Sequence, residues 1–442
     1  MVQQKVKYTD TERTPAERAR ALLEEMTLDE KMAQLGCIFP FGDSYDDMEQ
    51  QALEMPYGIG QVSTLEMRRI GTLEEAAGWQ RKMQETVMRQ SPHHIPAIFH
   101  MEGLCGAFIQ EGTSFPSGIA RGSGWDPELE EKIAKVVAKQ EAACGITHIL
   151  APVLDISRDS RMGRQGETYG EDPALAAALG AAYTKGIQTT EAGGRRPESV
   201  AKHFLGFHNS QGGIHGTNSD TPSRLMEEIY GKPFQSAISE SELKGVMPCY
   251  NSIDGEPASV SHRLLTELLR EKMGFDGLCV SDYGGINNAH EVQRIGETIG
   301  ETGLLAMEAG MDIEMPKATG YGEELKEMFR SGQADTELLD RTVLRVLEAK
   351  FRMGLFEHPF AMDGESCQKI FEEKEGAELS FRSARESMVL LKNNGILPLS
   401  GKIKKLALIG PHADCARKFF GGYTHPVSYT HLRAHETELH LV

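Results

Sequence analysis

Six short apolar runs in the sequence each lead into titratable or hydrogen-bonding side chains, the groups with which a protein carries out acid–base or nucleophilic chemistry. Because each run has the composition of a strand, these side chains stand where strands end. The runs, with the polar residues that follow them, are 95–99 with His100 and Glu102, 146–154 with Asp155, 200–201 with Lys202 and His203, 245–247 with Tyr250 and Asn251, 277–280 with Ser281 and Asp282, and 311–313 with Glu314.

Asp282 lies in the segment GFDGLCVSDYGGI, in which an apolar strand is followed at once by Ser-Asp and then by a glycine pair. An acid in this position would point into the mouth of a barrel. The alternative is a helix N-cap for the next segment, a position that Asp favours. The pattern alone leaves both interpretations open.

Lys202 and His203 place two adjacent donors at another strand end, which suits the recognition of hydroxyl groups. Consecutive side chains of a strand alternate between its two faces, so one of them should point inward unless a bulge or bend turns both. The alternative is an ion pair between Lys202 and a neighbouring carboxylate, with His203 as a satisfied buried histidine.

The loop DSRMGRQGETYGEDP carries charges of both signs and contains Arg161 and Arg164. An arginine near a carboxylate such as Glu102 can hold vicinal hydroxyls, whereas a structural salt-bridge network is the alternative. His208 and His215 lie among glycines and predict a mobile loop at an active site. Metal ligation is the weaker interpretation, because no acidic ligand stands at helical spacing from them.

The alternation of apolar runs with longer amphipathic stretches indicates successive βα units. Residues 35–39 and 59–62 are weaker strand candidates that bring the number to eight. Eight units predict an α/β fold with a (β/α)8 TIM-type barrel, whose active site is built at the carboxyl ends of the strands. A doubly wound open sheet would place its ligand crevice at the few strands of a switch point, not at six strands.

Residues 1–357 are therefore expected to form a barrel domain. Within it, a helical pair at 16–35 comes before the strands, and helices at 302–308 and 335–353 close the barrel. Thr27 and Glu30 form a capping box inside the first pair. Residues 358–385 predict a linker that enters a helix. Residues 386–424, with an apolar strand at 406–409, predict the incomplete start of a second α/β domain. The tail 425–442 holds four histidines without a regular period, and we interpret it as non-native; a His-rich metal tract is the alternative.

Composition restricts the function further. The chain of 442 residues has 47 basic and 65 acidic side chains and a formal charge of −18, which disfavours nucleic acid and anionic membranes as partners. No apolar run is long enough for a membrane helix, and the polar start lacks the apolar region of a secretory signal, so we expect a cytoplasmic protein. Seven unpaired cysteines predict reduced, mostly buried thiols, and we expect no metal site and no cofactor.

Seven segments, in order, resemble the successive blocks of glycoside hydrolase family three. They are MTLDEKMAQL, GRQGETYGEDP, AKHFLGF, GVMPCYNSIDGEPAS, LLREKMGFDGLCVSDYGGI, AGMDIEMP and VLRVLEAKFRMGLFEHPF, and they cover roughly residues 16–424. The resemblance implies a barrel followed by an α/β sandwich domain. It also implies a retaining exo-acting β-glycosidase, chiefly a β-glucosidase or β-xylosidase, with an oligosaccharide or β-glycoside as substrate.

The resemblance assigns roles to individual residues. Asp282, in the SDY that stands for the family's SDW block, would be the nucleophile that forms the covalent glycosyl-enzyme. The residues that would bind sugar hydroxyls in the same subsite are Glu102, Arg164, Lys202, His203, Met247 and Tyr250. A retaining enzyme needs an ionised carboxylate beside the anomeric carbon and a second acid roughly 5 Å away. We expect the Lys, Arg and Tyr donors near Asp282 to keep its pKa low.

The chain departs from the family pattern in two places. Leu104-Cys105-Gly106 stands where the family commonly has a histidine after its acidic residue. In β-glucosidase-like members the general acid/base is a glutamate of the second domain, so we expect it to be missing from this truncated chain.

Three alternatives stay open. A β-N-acetylhexosaminidase of the same family would place an Asp-His dyad after the KHF block, but the required triplet is absent there. A metal-dependent lyase or isomerase could use Glu102, Asp155, Asp282 and Glu314 together. The third alternative is a non-catalytic sugar-binding barrel fragment.

Overall fold

The structure is a computed structural model and describes residues 6–42, 45–410, 413 and 422–424. Seven parallel strands form one curled sheet and are hydrogen-bonded side by side in chain order. They are β1 (Cys37–Ile38), β2 (Gln61–Ser63), β3 (Ile98–Met101), β4 (His148–Ile149), β5 (Glu198–Phe204), β6 (Gly245–Pro248) and β9 (Leu278–Cys279). An antiparallel hairpin of β7 (Ser252–Ile253) and β8 (Glu256–Pro257) interrupts the connection between β6 and β9.

An eighth segment closes the sheet into a barrel. Ile313 forms a parallel bridge with Val280 just after β9, and the Ser281 N–H donates to Ile313 O at 2.9 Å. On its other side, the Glu314 N–H donates to Leu35 O, just before β1, at 3.0 Å. The eight predicted strands therefore join in one α/β barrel, and the prediction of a TIM-type barrel is confirmed.

Helices surround the barrel and follow its strands. They are α1 (Pro15–Leu23), α2 (Leu28–Ala33), α3 (Met48–Glu54), α4 (Leu73–Gln90), α5 (Gly118–Gly124), α6 (Pro127–Ala143), α7 (Pro173–Gln188), α8 (Ser223–Leu225), α9 (Lys232–Ser241), α10 (Gly285–Glu291), α11 (Ile299–Ala309), α12 (Glu323–Ser331), α13 (Thr336–Arg352), α14 (Gly364–Phe371) and α15 (Lys374–Glu386). Two further helical segments, Met226–Tyr230 and Arg263–Lys272, have wider turns.

Local sequence explains where these elements begin and how closely they pack. The predicted capping box is present, because Glu30 Oε2 accepts the Thr27 N–H at 2.9 Å and so fixes the start of α2. Gly277, just before β9, has a different role. A Cβ there would lie 2.1 Å from Lys244 O, so only glycine permits this close approach of the two chain segments.

Residues 358–385, where we expected a linker that enters a helix, contain α14 and most of α15. Both helices pack on the barrel helices, since Cys367, Phe371 and Leu379 are buried and Ser380 Oγ donates to Ser114 O at 2.7 Å. This stretch is therefore part of the barrel's outer layer.

Residues 388–410 form no helix or strand, including the predicted strand at 406–409. Leu406, Leu408 and Ile409 are 75%, 60% and 90% exposed. An extended segment needs a neighbouring strand to be stable, and the part of the chain that the structure describes offers none here. The second domain stays a prediction, and the histidine-rich tail at 425–442 lies outside the described residues.

Six cysteines, Cys37, Cys105, Cys144, Cys249, Cys279 and Cys367, are described, and each is a buried free thiol, as we predicted. Within the same described part of the chain, no helix is both long enough and apolar enough to cross a membrane.

Candidate active site

One cavity of about 210 Å³ lies at the carboxyl ends of the barrel strands. It is lined by all seven predicted residues, which are Glu102, Arg164, Lys202, His203, Met247, Tyr250 and Asp282. Pockets for drug-sized ligands are roughly 300–1,000 Å³, so this cavity suits a smaller ligand, such as one sugar ring. The structure thus brings the predicted residues together, and their chemical roles stay predictions.

The Asp282 carboxylate lies three residues after β9 in the cavity wall, and 14% of its side chain is exposed. Its Oδ1 accepts the Tyr283 N–H at 2.7 Å, whereas its buried Oδ2 accepts no hydrogen bond. Burial raises the pKa of Asp282 above its ordinary value, although Lys202 and the nearby Tyr250 hydroxyl act to lower it. Our expectation of a low pKa was therefore wrong, because the loss of water outweighs the neighbouring donors.

Glu102 and Lys202 form a buried ion pair across the cavity. Lys202 Nζ donates to Glu102 Oε2 at 2.6 Å, and their side chains are only 2% and 11% exposed. Burial raises the pKa of Glu102, while the Lys202 ammonium acts to lower it. The predicted ion pair of Lys202 with a carboxylate is present, and it lies inside the cavity and not behind it.

A register shift in β5 explains how two consecutive side chains reach the same cavity. The pairing between β5 and β6 is irregular between Lys202 and Phe204, as in a bulge. Without it, Lys202 and His203 would point to opposite faces. The shift allows both residues to line the cavity.

His203 is held by an acid that lies behind it. Its Nδ1 is 2.8 Å from Asp155 Oδ2, and its Nε2 is 3.7 Å from Asp282 Oδ2. Burial, followed by the positive charges of Arg164 and Lys202, lowers the pKa of His203 well below its ordinary value. The imidazole is therefore neutral and can donate or accept a hydrogen bond at the cavity.

Arg164 lies on the loop after β4 and forms a paired contact with Glu167, at 2.9 Å from Nε and 2.9 Å from Nη2. Its guanidinium carbon is 5.1 Å from the centre of the Phe207 ring. Both interpretations of this arginine thus apply, since it belongs to a salt bridge and also lines the cavity.

The loop with His208 and His215 divides between core and cavity. His215 lines the cavity, with its ring 5.0 Å from that of Tyr250 and 5.1 Å from that of Phe207. His208 is buried beneath it and does not line the cavity. Tyr250, in turn, donates its hydroxyl to Tyr283 O at 2.8 Å.

Sequence reasoning missed part of the cavity wall. Tyr283 is fixed by its hydroxyl, which is 2.6 Å from Ser63 Oγ and 2.8 Å from His100 Nε2. Tyr423 also lines the cavity, with its ring centre 5.4 Å from Lys202 Nζ, although it lies far along the chain from the barrel strands. The only signal for Tyr423 was an aromatic residue after a glycine pair, which is too common to single it out.

The acidic residues that we grouped for a metal-dependent alternative do not meet. Glu314 is used by its own loop, accepting the Thr319 and Tyr321 N–H groups at 2.8 Å each. Asp155 lies behind His203 and does not line the cavity. In the described ranges, no group of three or more His, Cys, Asp or Glu side chains could hold a metal ion.

Comparisons with known proteins agree on one family. Residues 27–349 match the model described as "Glycosyl hydrolase family 3 N terminal domain". A β-xylosidase of Formosa agariphila is 34% identical over 354 residues, covering 75% of this chain and 49% of the relative. A lysosomal β-glucosidase of Dictyostelium discoideum is 31% identical, covering 77% of this chain and 43% of the relative.

Solved structures give the same result. A β-glucosidase from Erythrobacter marinus superimposes with a TM-score of 0.83 at 32% identity, covering 89% of this chain and 52% of that one. A β-glucosidase from Listeria innocua in complex with glucose gives a TM-score of 0.76 at 30% identity, covering 87% and 53%. The chain thus spans about half the length of the proteins that it matches.

Proposed function

Because the chain belongs to glycosyl hydrolase family 3, we propose that its cavity is the sugar-binding subsite of a retaining β-glycosidase that releases terminal β-D-glucosyl or β-D-xylosyl residues. The observation that carries this proposal is the Asp282 carboxylate, which lines the cavity with one oxygen fixed and the other, Oδ2, without a hydrogen bond.

Asp282 is proposed as the nucleophile. The Tyr283 N–H orients the carboxylate through Oδ1, and a carboxylate oxygen of Asp282 attacks the anomeric carbon, so that the bond to the leaving group breaks and a covalent glycosyl-enzyme forms. Only the ionised carboxylate can attack. Burial raises the pKa of Asp282, and the nearby Lys202 and Arg164 charges oppose that rise and so favour the ionised form.

The other polar groups of the cavity suit sugar hydroxyls. Glu102 can accept hydrogen bonds from vicinal hydroxyls, and Lys202 and Arg164 can donate to them. Because Lys202 already bonds Glu102, one hydroxyl could meet both members of the pair. The small volume of the cavity favours a single sugar residue and therefore exo-acting release.

A retaining enzyme also needs an acid/base roughly 5 Å from the nucleophile. The carboxylates that line the cavity are Asp282 and Glu102, and Glu102 is occupied by Lys202. We therefore propose that the acid/base comes from a part of the protein outside the described residues. The second domain that the family resemblance implies is its proposed source.

The test is covalent labelling with a 2-deoxy-2-fluoro glycoside that carries an activated leaving group, which needs little acid assistance. Intact mass should show one added glycosyl group per chain, and Asp282→Asn should abolish it. Asp276→Asn, which changes an exposed acid paired with Lys244, should label like the unaltered chain. Labelling that survives Asp282→Asn would refute the assignment of the nucleophile.

The labelling rate should also fall on the acidic side, as pH decreases through the raised pKa of Asp282. Parallel reactions with glucosyl, xylosyl and N-acetylglucosaminyl reagents would rank the possible substrates. Binding of the free sugar without any labelling would instead favour a non-catalytic sugar-binding protein.

A further inference from the structure

We propose that Asp155 is a positioning residue that determines which nitrogen of His203 carries a hydrogen, and thereby whether His203 offers the cavity a donor or an acceptor. The claim that this hydrogen position affects a bound sugar rests on the proposed function. The claim that Asp155 sets the hydrogen position of the imidazole does not.

The first argument is the geometry of the contact. Asp155 follows β4 and is buried, and its Oδ2 accepts the backbone N–H of His203 at 3.2 Å while meeting Nδ1 of the same residue at 2.8 Å. The acid thus holds both the backbone and the ring of one residue. Asp155 does not line the cavity, and His203 is the cavity residue to which it is hydrogen-bonded.

The second argument is that groups contact the His203 ring on more than one side. Its ring centre is 4.6 Å from that of Phe207, and the residue is fully buried. The opposite nitrogen, Nε2, is 3.3 Å from Arg164 Nη2 and 3.7 Å from Asp282 Oδ2. Because a neutral imidazole carries its single ring hydrogen on one nitrogen, the hydrogen bond made at Nδ1 decides whether Nε2 is a donor or an acceptor.

The proton balance gives two states. When Asp155 is ionised, Nδ1–H donates to it, and Nε2 is an acceptor that can receive a hydrogen from Arg164 or from a sugar hydroxyl. When Asp155 is protonated, its hydroxyl donates to Nδ1, the hydrogen of the imidazole moves to Nε2, and Nε2–H faces the Asp282 carboxylate. One proton taken up by the pair thus turns an acceptor beside the nucleophile into a donor.

The surroundings place this change in an accessible pH range. Burial raises the pKa of Asp155 to about 8, with Arg164 the largest opposing influence. The charged and titratable groups that face the pair are Arg164, Glu167, Lys202, His208, His215, Cys249 and Asp282. Since a raised carboxyl pKa means protonation at higher pH than usual, the donor form should prevail below about pH 8 and the acceptor form above it.

The test is nitrogen NMR of the full chain with ¹⁵N-labelled histidine, in which His203→Gln identifies the signals of His203. A ring nitrogen that carries a hydrogen resonates far from one that does not. In the unaltered chain, Nε2 should lose its hydrogen and Nδ1 should gain one as pH rises from 6 to 10. In Asp155→Asn this transition should be absent. In Asp159→Asn, which changes a partly exposed acid of the same loop that pairs with Arg161, it should be unchanged.

Two outcomes would overturn the proposal: the same His203 titration in Asp155→Asn, or a hydrogen-free Nδ1 at pH 10 in the unaltered chain, an outcome that does not require Asp155→Asn to fold. Calorimetric measurement of glucose and xylose binding tests separately whether the change at His203 affects a bound sugar. Asp155→Asn should weaken binding about tenfold and remove its dependence on pH near 8. A normal imidazole titration without any sugar binding would refute the proposed function and leave the assignment of Asp155 intact.

Discussion

The buried ion pair of Glu102 and Lys202 predicts that removing one partner lowers the stability of the fold by an amount that depends on pH. Lys202→Met would leave the Glu102 carboxylate in the cavity wall without its 2.6 Å partner. Breaking a buried pair by removing one member costs about 3–5 kcal/mol while the other stays charged. The carboxyl can escape this cost by binding a proton, so the loss of stability should depend on pH.

The size of that dependence follows from linkage. Burial already raises the pKa of Glu102, and loss of Lys202 raises it further. A carboxyl whose folded pKa is raised contributes stability at low pH that is lost as pH rises. The difference in the free energy of unfolding between Lys202→Met and the unaltered chain should therefore be small at low pH. As pH rises, it should grow by at most about 1.4 kcal/mol per pH unit. A total of about 3 kcal/mol corresponds to growth over roughly two pH units.

Glu102→Gln is the matched control with the opposite sign. It removes the carboxyl whose raised pKa makes the unaltered chain lose stability as pH rises, so the stability deficit of this variant should shrink as pH rises. The double variant has neither charge, so its stability relative to the unaltered chain should change least with pH. The measurement is the free energy of unfolding in urea, followed by circular dichroism from pH 5 to pH 9. Parallel curves for Lys202→Met and Glu102→Gln would refute the reasoning, because the two residues would then not compensate each other's charge.

Three further outcomes are expected. Burial lowers the pKa of Lys350 far below its ordinary value, and its Nζ donates to Gln34 Oε1 at 2.6 Å. The folded state therefore binds fewer protons than the unfolded state, which makes Tm rise with pH. Lys350→Met should flatten this rise between pH 6 and 9. Tyr423→Ala should weaken monosaccharide binding two- to fivefold in calorimetry, while Tyr423→Phe, which keeps the ring beside the ammonium, should retain most of the affinity. Tyr169→Phe removes a 2.6 Å hydrogen bond to the buried Glu130 and should lower the free energy of urea unfolding by about 1–3 kcal/mol.

Much of the barrel could be predicted because its evidence is local. Short apolar runs that end in polar residues mark strands and their carboxyl ends, and a parallel barrel brings all such ends to one rim. Asp282, Glu102 and Lys202 therefore meet although they lie far apart in the chain. The inward turn of both Lys202 and His203 could not be predicted, since a bulge depends on pairing with the neighbouring strand.

Contacts between segments that lie far apart in the sequence could not be predicted, for the same reason. Tyr423 reaches the cavity from outside the strand pattern, and the hydroxyl of Tyr283 meets Ser63 and His100, which belong to two other strand ends. No spacing within one segment encodes such meetings. They depend on how complete loops fold over the rim.

The pKa of Asp282 shows which electrostatic effects can be predicted from residue types alone. The donors around it could be predicted, and they do lower the pKa, but the extent of burial is a property of the closed cavity and has the larger effect. Because the same burial removes the screening of water, each nearby charge then acts more strongly on the carboxylate. Lys202 lowers the pKa of both Asp282 and Glu102. Lys202 therefore favours the ionised form of both cavity carboxyls.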